Sequence, residues 1–426
     1  MKQIPVKLIT LGCPKNYVDS EIIKDIFTGS KYRIVDGNEN PDIVVVNTCG
    51  FIEDAKKESI EVILETVRLK NEKKIKKLIV TGCLSQRYRE QLLEEIPEID
   101  FIFGVNDFSN LYSTLYNDFP EKPLTERKLI TPKHYAYLKI AEGCDNLCSY
   151  CIIPFIRGRF KSREINSLVK EAETLATNGV KELILIAEDT TSYGIDIYGK
   201  RKLPYLLEKL TGIDKLKWIR ILYAYPGYVD DELIKFIAEN KKICRYIDIP
   251  VQHVSNKILK MMGRKYNKDF LLKLIEKIRK KIPDIGLRTT VITGFPGETM
   301  KDFNELLSFI EYVKFDRLGV FTYSREEGTK AYYYKDQLSK KEKEERAEEI
   351  KWLQKEISLK KNQTLIGEKL NVIIDSCDNV EKVSTGRTEK DSPEIDNKVL
   401  IKKKLKPGQF YKATITEASD FDLIGY

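Results

Sequence analysis

No stretch of the 426-residue sequence approaches the roughly 18–20 consecutive apolar residues needed to cross a bilayer. The opening segment, MKQIPVKLITLGCPKN, holds one short strand-like apolar stretch followed by Gly and Pro, without the apolar core of a secretory signal. A cytoplasmic location with no membrane partner is the expectation. Solenoid-type repeats and low-complexity tracts are absent, which argues against stacked-repeat and disordered architectures. No charge of one sign dominates. A formal net charge of +8 is mild for this length, and it fits a Lys-rich surface as well as weak attraction to RNA or ribosomes. Histidine is scarce, with only His134 and His253. No His, Asp or Glu stands out as a general acid or base. His253, in PVQHVSN, follows a strand and suits a barrel mouth or a hydrogen-bonded structural role equally.

What is present is a globular composition, 42% hydrophobic and 10% aromatic, in a chain long enough for two or three domains. Residues 1–117 alternate short β-branched runs (VKLITL, DIVVVN, KLIVTG, DFIFG) with helical patterns such as VDSEIIKDIF and DAKKESIEVILETVRLK. Alternating βα units imply a parallel sheet covered by helices. Residues 118–134 carry three prolines and many charges and read as a linker. Six further strand candidates follow within 135–362: YLKI, ELILIAED, WIRILYAY, YIDIPVQ, LRTTVITGF and RLGVFTYS. Separated by helical segments, they predict a partial (β/α)6 barrel, closed off in sequence by a Lys/Glu-rich helix over 338–362. Residues 363–426 return to strand-like runs and predict a small antiparallel β-barrel.

A reducing compartment argues against disulfides among the eight cysteines, so metal ligation or catalysis is the better reading. Cys144, Cys148 and Cys151 form Cys-x3-Cys-x2-Cys just after the first barrel strand, where parallel-barrel sites are built. A structural zinc would need four closed ligands. The nearest histidine, His134, lies ten residues upstream across a strand, and the next cysteine is Cys244. Three thiolates without a fourth fit a 4Fe-4S cluster with one open iron, which can chelate a substrate. Cys13, Cys49 and Cys83 each come shortly after a predicted strand, in Gly-flanked polar turns (LGCPKN, NTCGF, TGCLS). Sites in open parallel sheets form outside the carboxyl ends of strands, so three strands deliver three thiolates to one edge. That points to a second three-cysteine cluster. Cys244 and Cys377 are read as non-ligands.

The central spacing, with Tyr150 before the last cysteine, resembles the radical S-adenosylmethionine superfamily. The resemblance implies that the open iron binds S-adenosylmethionine and that Tyr150, Pro296 and Gly297 (from TGFPGET) neighbour the cofactor. Arg157, Arg159 and Arg163 follow the cluster and suit a carboxylate partner. Both cysteine groups together, with LGCPKN and NTCGFIEDA, resemble the methylthiotransferase family over nearly the whole chain. That likeness implies two 4Fe-4S clusters, S-adenosylmethionine as both methyl donor and radical source, a TRAM-like C-terminal barrel and a low-potential electron donor. LGCPKNYVDSE, HYAYLKIAEGCDNLCSYC, EDTTSYG, YSREEGT and GRTEKDSPEIDNK are similar to the ribosomal-protein (RimO-type) branch. That branch places a methylthio group on the β-carbon of an aspartate in small-subunit ribosomal protein twelve. Glu188 stands where the branch leads one to expect glutamine. A tRNA methylthiotransferase of the adenosine-modifying type is the first alternative. A non-catalytic iron–sulfur protein for electron transfer or RNA binding is the second, although electron-transfer clusters usually have four protein ligands. From Thr364 to Tyr426 there are ten Lys and Arg against eleven Asp and Glu, so this tail is about −1 and the remainder about +9. An RNA-gripping barrel should be basic. The close set Glu389, Asp391, Glu394 and Asp396 is therefore expected to face a Lys/Arg-rich protein.

Overall fold

The computed structural model describes residues 3–29, 31–37, 39–116 and 127–426. The N-terminal sheet has five parallel strands in the order β2-β1-β3-β4-β5: β1 (Ile4–Thr10), β2 (Tyr32–Ile34), β3 (Ile43–Thr48), β4 (Lys77–Gly82) and β5 (Phe101–Ile102). β3, IVVVNT, is buried at every position, as a central strand covered on both faces must be. The helix Glu53–Asn71 places Glu53 and Asp54 in its first turn and Arg68 and Lys70 in its last, which complements its dipole. Strand order reverses at β1, so the crevice between the carboxyl ends of β1 and β3 is where an open sheet places a ligand. The three-residue β2 escaped the sequence reading because its apolar run is too short to show a period.

All six predicted barrel strands are present. β6 (Tyr135–Lys139), β9 (Glu182–Ile186) and β10 (Trp218–Ile221) form one parallel sheet, and β11 (Tyr246–Asp248), β12 (Gly286–Thr293) and β13 (Arg317–Thr322) form another. A parallel bridge between Ile219 and Ile243 joins them edge to edge into an incomplete barrel. β7 (Ala141–Glu142) and β8 (Lys161–Ser162) pair antiparallel and close the base of the loop carrying Cys144, Cys148 and Cys151. Of the predicted linker, 118–126 lie outside the described residues. Arg127 is ion-paired to Glu21 of the N-terminal sheet domain and, at 2.8 Å, to Glu171 of the barrel, so the segment from 127 is fastened to both.

The C-terminal region is a closed five-stranded barrel, β14-β15-β16-β18-β17, of β14 (Lys369–Asp378), β15 (Val383–Arg387), β16 (Val399–Ile401), β17 (Phe410–Ala418) and β18 (Leu423–Gly425). It is antiparallel except where β16 and β18 run parallel. β15 and β18 were missed in sequence because one is Ser/Thr/Gly-rich and the other three residues long.

Asp391 and Asp396 of the acidic set turn inward rather than toward a partner, and Glu394 stays exposed. Asp391 Oδ1 meets Arg317 at 2.5 Å, Asp396 meets Arg288 at 3.3 Å and the Tyr246 hydroxyl at 2.8 Å, and Glu394 accepts from the Tyr135 hydroxyl at 3.1 Å. The backbone carbonyl of Glu389 accepts from Arg220 at 2.8 Å. These partners stand at the amino-terminal ends of the barrel strands, the end opposite the cysteine loop. The acidic segment is an intramolecular plug, because the strand ends it covers are rich in arginine. Beside it, Arg387 is bound between Glu182 at 2.8 Å and Asp375 at 2.7 Å, with all three side chains largely buried. Replacing Asp391 and Asp396 together by Lys buries like charge against Arg317 and Arg288. We expect a loss of at least about 3–5 kcal/mol, read as a lower Tm and protease cleavage near residue 363. An unchanged Tm would mean that these side chains project outward.

Candidate functional site

Cys13, Cys49 and Cys83 follow β1, β3 and β4, three neighbouring strands, at their carboxyl ends. Their loops are in close contact. A Cβ added at Gly12, where φ is +90°, would lie 2.7 Å from Cys49 Cβ, and one at Gly50 would lie 2.8 Å from the Leu84 backbone nitrogen. Asn16 Nδ2 donates to Leu11 O at 2.8 Å and to Thr48 O at 3.0 Å, tying the Cys13 loop to the Cys49 loop. Cys13 caps the amino terminus of the helix Pro14–Ile26, and Cys83 opens a short helix after Gly82. Cys49 and Cys83 are buried, yet they sit at strand ends rather than within strands.

Burial pushes the Cys49 thiol up to about 11 and the Cys83 thiol up to about 12, in the latter case against the lowering effect of Arg157. Cys144 is likewise pushed up to about 12 by burial, and Cys151 is raised by burial and by Cys148. Nucleophilic cysteines have lowered pKa values, whereas metal ligands lose their protons to the bound cation. These thiols are therefore not activated as nucleophiles. Among the described residues no three Cys, His, Asp or Glu side chains lie close enough to hold a single ion. An iron–sulfur cube, whose corners are separate irons, calls for thiolates set farther apart.

The central loop is pinned at several points. Ser149 N donates to Met262 O at 3.0 Å and Ser149 Oγ to Met261 O at 2.8 Å. Asn146 Nδ2 donates to Asp189 Oδ2 at 2.8 Å, and Asp189 also accepts from Thr191 and Ser192, so the EDTTSYG stretch braces the loop. Cys144, Cys148, Cys151 and Tyr150 line a cavity of about 220 Å³ together with Glu188, Tyr223, Gln252 and Arg264. Lys15 and Phe51, each two residues past an N-terminal cysteine, complete its wall. A groove of about 640 Å³ between the helices Met300–Val313 and Lys340–Gln363 is larger, but glutamates and Trp352 line it and no cysteine does. Of these two, the smaller cavity is the one lined by thiols and buried charges.

Pro296 and Gly297 are not among the residues lining that cavity. Their neighbour Phe295 packs edge-on against Tyr150, with ring centroids 6.4 Å apart, so the segment supports the wall from behind. Gly297 N instead donates to Asp336 O at 3.0 Å. His253 is fully buried, 3.5 Å from Glu298, away from the cavity. Cys244 lies in the barrel interior beside Tyr246 and Trp218, and Cys377 is in β14; neither joins the other thiols.

The three arginines part company. Arg159 is 86% exposed and pairs with Asp145, and Arg163 pairs with Glu171. Arg157 is 1% exposed and crosses into the N-terminal domain. It reaches Asn16 Oδ1 at 2.8 Å, Asp19 at 3.1 Å and Cys83 Sγ at 3.5 Å, and it holds Glu142 at 2.6 Å. Lys139 adds a second tie to Asp19, at 2.5 Å. On another side, Glu326 of the YSREEGT stretch binds Lys56 at 3.0 Å and Arg87 at 2.6 Å. Two buried ionic clamps thus join the N-terminal domain to the barrel around the cavity. Lys15, Arg264, Arg87 and Glu326 were not singled out in sequence, where nothing separates them from dozens of other charged residues.

Replacing Arg157 by Met leaves Asp19 and Glu142 to share the one buried ammonium of Lys139, 2.5 Å and 2.6 Å away, with an excess of buried negative charge. We expect a loss of about 3–5 kcal/mol and faster proteolysis between the N-terminal domain and the barrel. Arg159→Ala leaves both unchanged.

The sequence matches the family models Radical SAM superfamily over residues 138–310, Uncharacterized protein family UPF0004 over 5–104 and TRAM domain over 366–426. It is 48% identical to the ribosomal protein uS12 methylthiotransferase RimO of Thermoanaerobacter sp. over 99% of both chains. It is 47% identical to the enzyme of the same name from Clostridium perfringens, over 100% of this chain and 98% of that one. Among solved structures it resembles in fold the radical S-adenosylmethionine methyltransferase TsrM from Kitasatospora setae, with a TM-score of 0.55 and 14% identity over 89% of this chain and 82% of that one. Among the described residues no helix is long and apolar enough to cross a membrane. With three thiols at the mouth of a radical S-adenosylmethionine barrel and relatives aligned end to end, the chain belongs to the RimO family of radical S-adenosylmethionine methylthiotransferases.

Proposed function

We propose that this enzyme places a methylthio group on the β-carbon of an aspartate in small-subunit ribosomal protein uS12, using two 4Fe-4S clusters held by Cys13, Cys49 and Cys83 and by Cys144, Cys148 and Cys151. The observation that carries this reading is the shared cavity. One wall is the central cysteine loop, and the facing wall, Lys15 and Phe51, extends the loops of Cys13 and Cys49. A sulfur donor and a hydrogen-abstracting group must reach the same carbon, and a cavity between the two cysteine sets meets that requirement.

When bound, the clusters and S-adenosylmethionine supply the radical cleavage of a sulfur–carbon bond and the sulfur and methyl group to be transferred. The chain's own residues hold and enclose these groups. Tyr150 and Tyr223 wall the cavity and exclude water. Arg264 Nε is buried without a hydrogen-bond partner on the Cys148 side, a donor suited to the carboxylate of S-adenosylmethionine. The two clamps at Arg157 and Glu326 keep the facing walls in register.

The charge of the C-terminal barrel no longer argues for a protein over an RNA substrate. Asp391 and Asp396 turn inward, while Glu394, Lys402, Lys403, Lys404 and Lys406 remain outside. The choice of uS12 over tRNA rests on the full-length relatives. A low-potential electron donor is required in either case.

Anaerobic reconstitution should give about eight irons per chain, and about four when Cys144, Cys148 and Cys151 are all changed to Ala. The intact enzyme should release 5′-deoxyadenosine and add one methylthio mass to uS12 but not to bulk tRNA. Full iron content in the triple variant would overturn the ligand assignment. Modified tRNA with unmodified uS12 would overturn the substrate.

A further inference from the structure

Lys15 stands in the first turn of the helix Pro14–Ile26, two residues past Cys13, and its side chain is 9% exposed in the cavity wall. Its ammonium carries three donors. Glu188 Oε2 lies 3.4 Å from it, and the ring of Tyr223 faces it at 4.2 Å. The ion pair is incomplete from the other side as well. Glu188 Oε1 is buried with no hydrogen-bond partner, and its nearest cation is Arg157 Nε at 3.8 Å. A buried ammonium and a buried carboxylate, both only partly satisfied and both on a cavity, are costly to a folded protein unless a ligand completes them.

We propose that Lys15 is the anchor for the carboxylate of the substrate aspartate, the contact by which the enzyme selects an acidic side chain. The inference rests on the protein-aspartate reading given above. The cavity has two cations placed at different ends. Arg264 lies beside Cys148 and Tyr150, where the cofactor belongs. Lys15 projects from the Cys13 loop, the side from which sulfur is delivered. A carboxylate held at Lys15 directs the adjacent β-carbon into the space between the two cysteine sets. An anion entering this buried site loses its hydration and gains it back only from a cation, so an uncharged asparagine is the poorer ligand. Glu188 is the built-in competitor. When the substrate carboxylate takes Lys15, Glu188 retains Arg157. A glutamine at 188, the residue the family likeness leads one to expect, would leave Lys15 without a competitor.

The test compares affinities of the reconstituted holoenzyme for uS12 and for uS12 whose target aspartate is changed to asparagine. The wild type should prefer the aspartate form by roughly tenfold or more. Lys15→Arg should keep that preference, Lys15→Met should bring it to about one, and Glu188→Gln should increase it. An undiminished preference in Lys15→Met overturns the assignment. So does weaker binding of S-adenosylmethionine in Lys15→Met with the aspartate preference intact, which would make Lys15 a cofactor ligand. Should Lys15→Met fail to fold or load iron, the Glu188→Gln arm decides, and an unchanged preference there overturns the proposal. A wild-type holoenzyme that binds neither form removes the substrate reading and the anchor with it. Binding without discrimination removes the anchor alone.

Discussion

The guanidinium of Arg157 ties the two halves of the reaction site together. It grows from the barrel, six residues past Cys151, and ends among Asn16, Asp19 and Cys83 of the other domain. Two domains joined only by a segment of chain would hold their cysteine loops at varying distances. A charge 1% exposed, bonded on one edge to Glu142 and on the other to Asp19, admits one arrangement, because any displacement strands a charge in a dry interior. The Glu326 clamp restrains the same interface at a second point, so the domains resist both sliding and hinging. The cavity keeps its shape because these clamps hold its walls.

The same logic governs the far end of the barrel. A small β-barrel with a net charge near −1 looks, as a composition, like a surface for basic partners. Asp391 and Asp396 are used inside the molecule, against Arg317 and Arg288, and the backbone carbonyl of Glu389 accepts from Arg220; the barrel strands present these arginines at their amino ends. Once those pairs are formed, the C-terminal barrel shows solvent a mixed surface, with Lys402, Lys403, Lys404 and Lys406 beside Glu368, Asp378, Glu381, Glu394 and Glu417. Net charge counted along a sequence speaks for an outer surface only when the counted groups are exposed, and Asp391 and Asp396 have side chains 3% and 1% exposed.

Burial also explains the chemistry of the cysteines. Low dielectric raises thiol pKa, so these sulfurs are poor nucleophiles by themselves. Buried thiols of this kind become good ligands where a cation takes the proton's place.

The amino-acid sequence alone determined the two triplets of cysteines, the βα alternation and the six barrel strands, because each is a local pattern: a spacing, a period of hydrophobicity, a glycine beside a strand end. It also placed Tyr150 beside the central cysteines, with which it lines the cavity. Only the tertiary structure decided which charges matter. Arg157, Arg159 and Arg163 are alike in sequence, but one is a buried clamp and another is 86% exposed. Lys15 and Arg264 enter the cavity, and Asp391 and Asp396 leave the surface, through contacts between residues far apart in the chain. A charged side chain's role depends on its local dielectric and its partners. Both are set by how the domains pack, which no local pattern encodes.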